Sequence, residues 1–160
     1  MTETILAGGK VYDHTLHEIR GFFGPWRFLS NFHFFPVEYD GVVYPTNEHA
    51  YQAAKTNDLL ARDEIRRVSR PGEARRLGQQ VVLRPDWGLV QLPIMVDLNL
   101  QKYTDVKLGT MLLESEEAYL EETNHWGDVY WGVCNGIGEN KLGKLLMDIR
   151  DDLRAVRHQF

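Results

Sequence analysis

From Phe22 onward the apolar positions switch between a two-residue and a helical period. In FHFFPVEYDGVVYP, residues 32–45, aromatic and β-branched segments flank Asp40-Gly41, a pair suited to the positive φ angles of a two-residue hairpin turn. The pattern predicts a β-hairpin there. Pro45-Thr46-Asn47 follows as a stop and a cap, because the Thr46 or Asn47 side chain can accept from an orphan amide of a helix running to about Asn57. Ser69-Arg70-Pro71 opens a further helix that Gly78 can close. Asp86 caps another, with Leu89, Val90, Leu92, Met95, Val96, Leu98 and Leu100 on a broad apolar surface and Pro93 expected to kink or break it. A helix around Lys102 to Leu113, a strand from Tyr119 to Thr123 and a last helix capped by Asn140 complete the pattern. Leu142, Leu145, Leu146, Ile149 and Leu153 of that last helix recur at the 3.6-residue period.

Residues 1–19 hold no sustained period and read as an N-terminal tail or an added strand, leaving 20–160 as the domain. The fold class is α+β: a single compact domain, mostly helical, with a small antiparallel β-sheet built from the hairpin and the strand near Tyr119. The chain's 160 residues, 43% of them apolar, suit one hydrophobic core. No apolar run approaches the length of a membrane span, and the N-terminus lacks the order of a signal peptide, so the expectation is a cytoplasmic protein with no membrane partner. Cys134 is the only cysteine, and no Cys/His cluster has metal-ligand spacing. Neither a metal nor a cofactor is expected.

A formal charge of -5 argues against indiscriminate binding to nucleic acid. Within that average, arginines 62, 66, 67, 70, 75, 76 and 84 form a basic zone, and Glu114, Glu116, Glu117, Glu121 and Glu122 an acidic one. The basic zone can meet one or two phosphates, or be a solvated helix face laced with Asp63, Glu64 and Glu73.

NEHAYQAAK, residues 47–55, raises a sharper question. At the helical rotation Gln52 lies about 40° and Lys55 about 20° from Glu48, so the three share one stripe, with Ala50 and Ala53 behind. Glu48 and Lys55 are too far apart along the axis for the usual stabilising i,i+4 pair. The stripe reads either as the wall of a polar cleft or as a face kept polar for solubility. A second constellation is HWGDVYWGVCNGIGENKLG, where Asp128 precedes Trp131 and glycines 132, 136 and 138 lead to Asn140. Gly-rich backbone feeding a helix can present amides to an anion, and an indole can stack on a base. The alternative makes Trp131 a core residue and the glycines tight turns.

FLSNF, the Asp-Gly hairpin, YPTNEHAYQAAK, the Ser-Arg-Pro-Gly-Glu-Ala segment, LRPDW with the later Met95, and DVYWGVCNGIGENKLGKLLMDIR together resemble the YbiA-like family, also called the NADAR domain. The resemblance spans about residues 20–154, in order. It implies a compact, largely helical α+β fold and N-glycosidase activity. Some members act on phosphoribosyl-amine intermediates of riboflavin synthesis, and others remove ADP-ribose from guanine bases of nucleic acid. Carried onto this sequence, it implies catalytic roles for Lys55, Glu48 and Asp128, and substrate binding by Trp87, Trp131, Asn140 and Gly138, with Asn31 and Arg20 as wall residues. Thr56 stands where relatives often carry phenylalanine, and Pro93 interrupts a helix expected to be continuous in them.

Breaking a ribose C–N bond requires neutralising the departing amine and stabilising positive charge at the anomeric carbon. The resemblance suggests Lys55 as a nucleophile forming a Schiff base, Glu48 as a proton shuttle, Asp128 as an orienting carboxylate, and Trp131 or Trp87 as a stacking face. Carboxylate-activated water is the competing mechanism, and a non-catalytic ADP-ribose or nucleotide-binding module the competing function. The favoured substrate is ADP-ribosylated guanine in nucleoside, DNA or RNA form, with a phosphoribosyl-amine small molecule as the alternative.

Overall fold

The computed structural model describes residues 3–7, 10–15 and 17–157, with the backbone alone described in 3–7 and 10–13. In chain order the elements are β1 (Glu3–Ala7), β2 (Lys10–His14), β3 (Glu18–Arg20), a 3-10 helix (Gly24–Leu29), β4 (Phe34–Tyr39), β5 (Val42–Thr46), α1 (Asn47–Ala54), α2 (Leu59–Arg67), α3 (Pro71–Gly78), α4 (Trp87–Thr104), α5 (Val106–Leu113), β6 (Tyr119–Glu121), β7 (Thr123–Asn124), β8 (Val133–Cys134) and α6 (Lys141–Arg157). The fold is α+β and mostly helical, as the sequence pattern predicts. The chain folds into two compact units, one of the residues up to Ser30 together with Asp105 onward, the other Asn31–Thr104.

In the unit formed by the two chain ends, a four-stranded sheet has the order β1-β2-β3-β6. The expected tail or added strand is thus a hairpin, β1 against β2, followed by β3. β6 departs from the expected antiparallel pairing: it runs parallel to β3, with Ile19 opposite Leu120 and Arg20 opposite Glu121. The amide of Gly21 donates to the Glu121 carbonyl at 2.9 Å, and the Arg20 guanidinium meets the Glu121 carboxylate at 2.8 Å, which together fix that register. α6 lays Leu142, Leu146 and Ile149 into the core against β6. Gly143 makes the approach possible, since a Cβ there would overlap the Leu120 carbonyl.

In the unit 31–104, Asp40 and Gly41 turn the β4–β5 hairpin with φ of 53° and 76°, the left-handed pair expected of Asp-Gly. β4 and β5 form a two-stranded sheet of their own. Thr46 then caps α1, its hydroxyl accepting from the His49 amide at 3.1 Å. All eight residues of α1 are buried, and the helix packs on α2, α3, α4 and both strands of the hairpin. Ala50, Ala53 and Ala54 leave no side-chain bulk to hold those neighbours away.

Three helix boundaries differ from the sequence pattern. α1 ends at Ala54 rather than near Asn57, because Thr56 accepts from the Asp58 amide and Asp58 in turn caps α2. The helix expected from Lys102 begins at Val106, where the Asp105 carboxylate caps it. α4 runs unbroken through Pro93. The proline is exposed, so water can take over the carbonyl that loses its amide partner. Its expected apolar surface is also narrower: Met95 and Leu98 are core residues, whereas Leu89 is 81% exposed. Among the described residues no helix is long and apolar enough to cross a membrane.

Candidate functional site

Within the unit 31–104 the polar stripe of α1 is buried. Glu48 is 8% and Gln52 4% exposed, and Gln52 Nε2 donates to Glu48 Oε1 at 2.7 Å. The stripe is therefore no solubility face. Lys55 follows at the C-cap, half-buried, with Nζ 5.5 Å from the centre of the Tyr51 ring. The Trp87 indole meets that ring at 5.1 Å, tilted by 57°. Tyr51 thus links the lysine to the indole, a connection that the spacing of Lys55 and Trp87 in the sequence cannot reveal. The segment before α4 is tied in through Arg84, whose amide donates to the Lys55 carbonyl at 2.7 Å and whose carbonyl accepts from the Trp87 amide at 3.1 Å.

Asn31 belongs to the same buried network. Its backbone carbonyl accepts from the Glu48 amide at 3.1 Å, its Oδ1 accepts from Asn47 Nδ2 at 3.2 Å, and its Nδ2 contacts Met95 Sδ at 3.3 Å. Asn47 Nδ2 also reaches Asn99 Oδ1 at 3.2 Å. Asn31 therefore fixes the first turn of α1, beside the carboxylate. In the same turn, His49 Nε2 lies 3.0 Å from the Val68 carbonyl and Nδ1 2.7 Å from the Thr46 hydroxyl. That arrangement suits a neutral ring donating from Nε2, and burial pushes the imidazole below its ordinary range.

The remaining expected site residues lie in the other unit. Asp128 Oδ1 accepts from the amides of Tyr130 and Trp131 at 3.1 and 2.9 Å, while Asn124 Oδ1 accepts from the Asp128 amide at 3.0 Å. These two side chains shape the loop that presents Asp128. Trp131 is buried and meets Tyr130 edge-on at 4.9 Å. Arg20 is joined to Glu18 and Glu121 at 3.0 and 2.8 Å, an arrangement that raises its pKa further and holds its charge in place.

Two expectations for the glycine-rich stretch do not hold. The amides leading into α6 are occupied: Glu139 donates to Val129, Lys141 to Tyr130 and Leu142 to Trp131. They are not a free cradle for an anion. Gly138 is needed for packing, since a Cβ there would overlap the Gly132 carbonyl. Asn140 does not cap α6 with its side chain either. Its φ of 51° turns the amide towards β6, where Oδ1 accepts from the Glu122 amide at 3.0 Å and Nδ2 donates to the Leu120 carbonyl and the Tyr119 hydroxyl.

Several arginines of the basic zone are paired internally. Arg62 donates to Asp40 and to the Thr56 carbonyl, both at 2.7 Å, Arg66 and Arg67 share Asp63, and Arg84 holds Asp86 and the Tyr39 hydroxyl. Sequence reasoning missed Tyr51 and Arg84 as parts of the site region. Tyr51 sits inside the polar stripe's own helix and was the one with a readable signal, an aromatic flanked by Glu48 and Lys55. Among the described residues no group of three His, Cys, Asp or Glu side chains is placed to hold a metal ion.

The α+β scaffold thus buries a glutamate on α1 and, at the C-cap of that helix, sets a lysine beside the Tyr51 ring, which the Trp87 ring meets from α4. The chain belongs to the NADAR domain family, which matches residues 13–154 and so spans both units. It is 40% identical over 129 residues to N-glycosidase YbiA of Escherichia coli (strain K12), covering 78% of this chain and 80% of that one. It is 34% identical over 139 residues to an N-glycosidase of Nostoc punctiforme, covering 82% and 88%. A riboflavin biosynthesis protein of Vibrio vulnificus is 31% identical over 131 residues, covering 79% of this chain and 35% of its own length. Among solved structures, the NMR structure of the E. coli protein YbiA superposes with a TM-score of 0.76 at 34% identity, covering 91% of this chain and 92% of that one.

Proposed function

We propose that the protein is an N-glycosidase that hydrolyses a ribose C–N bond, with Lys55 as nucleophile and Glu48 as proton shuttle. The observation that carries the reading is the buried Glu48–Gln52 pair on the same helix that brings Lys55 to the Tyr51 ring, which the Trp87 ring meets in turn. A buried carboxylate is costly to a fold unless it is used or well paired, and an amine beside aromatic faces is placed where a flat base can lie. The names of relatives at 40% and 34% identity support the same reaction class.

In the proposed sequence the lysine first loses its proton to Glu48. Neutral Nζ then attacks the anomeric carbon as the bond to the base nitrogen breaks, and Glu48 returns the proton to that nitrogen. Opening of the sugar ring gives an iminium at the lysine. Water adds to the anomeric carbon, the C–N bond to Nζ breaks, and free ribosyl product leaves. Trp87 offers a stacking face to the base. In the other unit, Asp128 is proposed to accept from a sugar hydroxyl and Trp131 to offer a stacking face.

Two substrates remain in the proposal. The internal pairing of Arg62, Arg66 and Arg84 favours a small phosphoribosyl-amine, which needs no rim of free cations. The exposed Arg70 and Arg76 favour ADP-ribosylated guanine in DNA or RNA, whose flanking phosphates need such cations. Incubation with each, followed by mass spectrometry of the released base, tests the function. Binding of ADP-ribose with no base released from either would replace the hydrolase with a binding module.

A further inference from the structure

We infer that Gln52 is a positioning residue for Glu48, and that position 78 is kept free of a side chain so that Gln52 can reach it. The inference rests on the role proposed for Glu48. Gln52 Nε2 lies 2.7 Å from Glu48 Oε1, whereas Gln52 Oε1 is buried without a hydrogen-bond partner. A buried carbonyl left unpaired costs stability; a leucine of similar volume would avoid that cost but leave Glu48 Oε1 without this donor. What glutamine adds is the donated hydrogen bond, which fixes the carboxylate rotamer and favours its ionised form, the form that must take the proton from Lys55.

Gly78 supplies the second half of the device. It ends α3 where that helix packs on α1, and a Cβ built there would overlap Gln52 Oε1 and lie 2.7 Å from Gln52 Cβ. Its backbone φ is not in the left-handed region, so the need for glycine is one of space. Any side chain at 78 must displace Gln52 and with it the partner of Glu48.

The test compares Gln52→Leu, Gly78→Ala and the double variant Gln52→Ala/Gly78→Ala with the parent. Gln52→Leu is expected to unfold in urea below the parent's midpoint at neutral pH, because the buried Glu48 carboxylate loses a donor, with the difference narrowing towards acid as that carboxylate is protonated. Its kcat should fall about 10- to 100-fold with KM within about twofold, and the acid limb of its kcat profile should move to higher pH. A carbon-13 NMR titration of the Glu48 carboxyl, which needs no substrate, should show the same upward move. Gly78→Ala should lose both stability and kcat, and the double variant should regain the part of that stability lost to overlap but not kcat. A Gln52→Leu protein that keeps the parent's titration and kcat overturns the inference. If in addition Glu48→Gln is impaired, the reading of the site survives that loss; if Glu48→Gln turns over normally, both fall.

Discussion

Arg84 couples Lys55 to Trp87 through its own peptide group: its amide donates to the Lys55 carbonyl at 2.7 Å, and its carbonyl receives the Trp87 amide at 3.1 Å. The side chain anchors the segment, with Nε and Nη2 on the Asp86 carboxylate at 2.6 and 3.0 Å and Nη1 on the Tyr39 hydroxyl at 2.9 Å. Arg84→Ala keeps both peptide hydrogen bonds and removes the anchors. The expected result is a stability loss of about 1 kcal/mol with a several-fold rise in KM, because the indole is held less firmly while the lysine chemistry is intact. Urea unfolding and steady-state kinetics measure the two. An unchanged KM would mean that the peptide bonds alone hold the segment.

Lys55 and Glu48 separate under borohydride. Reduction during turnover should leave a ribosyl adduct on Lys55, visible by peptide mass spectrometry, and Lys55→Ala should show neither adduct nor turnover. Glu48→Gln should slow the reaction by about 100- to 10,000-fold with a smaller loss of binding. Turnover without any trapped adduct would instead assign the reaction to activated water, with the lysine serving the substrate's charge.

The parts legible in the sequence are those set by neighbours along the chain. Asp40-Gly41, the Thr46 cap and Pro71 at the start of α3 each act within a few residues, and each stands where the pattern predicts it. The end of α1 is set partly by a local signal the pattern overlooked, Thr56 and Asp58 opening α2, and partly from a distance, where Arg84 satisfies the Lys55 carbonyl. The partner of β6 was hidden for a similar reason. Parallel pairing with β3 joins residues about a hundred positions apart, and nothing in Tyr119-Leu120-Glu121 specifies a direction. Asn140 misled in a third way. Asparagine before a helix ordinarily caps it, but a left-handed φ turned this one onto β6. For the site, the stripe on α1 was readable as geometry, whereas its burial and the Gln52–Gly78 fit depend on how helices pack.

Asn140 yields a prediction opposite to its expected role. Three hydrogen bonds join its amide to Glu122, Leu120 and Tyr119, and it is 1% exposed. Asn140→Ala leaves a buried amide and a buried carbonyl unpaired, for a loss of about 2–4 kcal/mol. The variant that remains folded should retain the parent's KM. A large KM increase at unchanged stability would return Asn140 to the substrate.

His49 sets the response of the fold to acid. Its ring is fully buried between the Thr46 hydroxyl and the Val68 carbonyl, and burial lowers its pKa from the ordinary 6.5, with the Val68 carbonyl and Glu73 opposing that shift. The unfolded chain therefore binds this proton more readily than the folded one. Its contribution to stability is complete above pH 6.5 and is lost as pH falls from there through the lower folded value. Urea midpoints should be level above neutrality and decline below it. His49→Gln carries no titrating group and can keep an amide donor near Val68, so it should be less stable at pH 8 but decline less steeply towards acid. Parallel declines in the two proteins would assign the acid sensitivity to other groups.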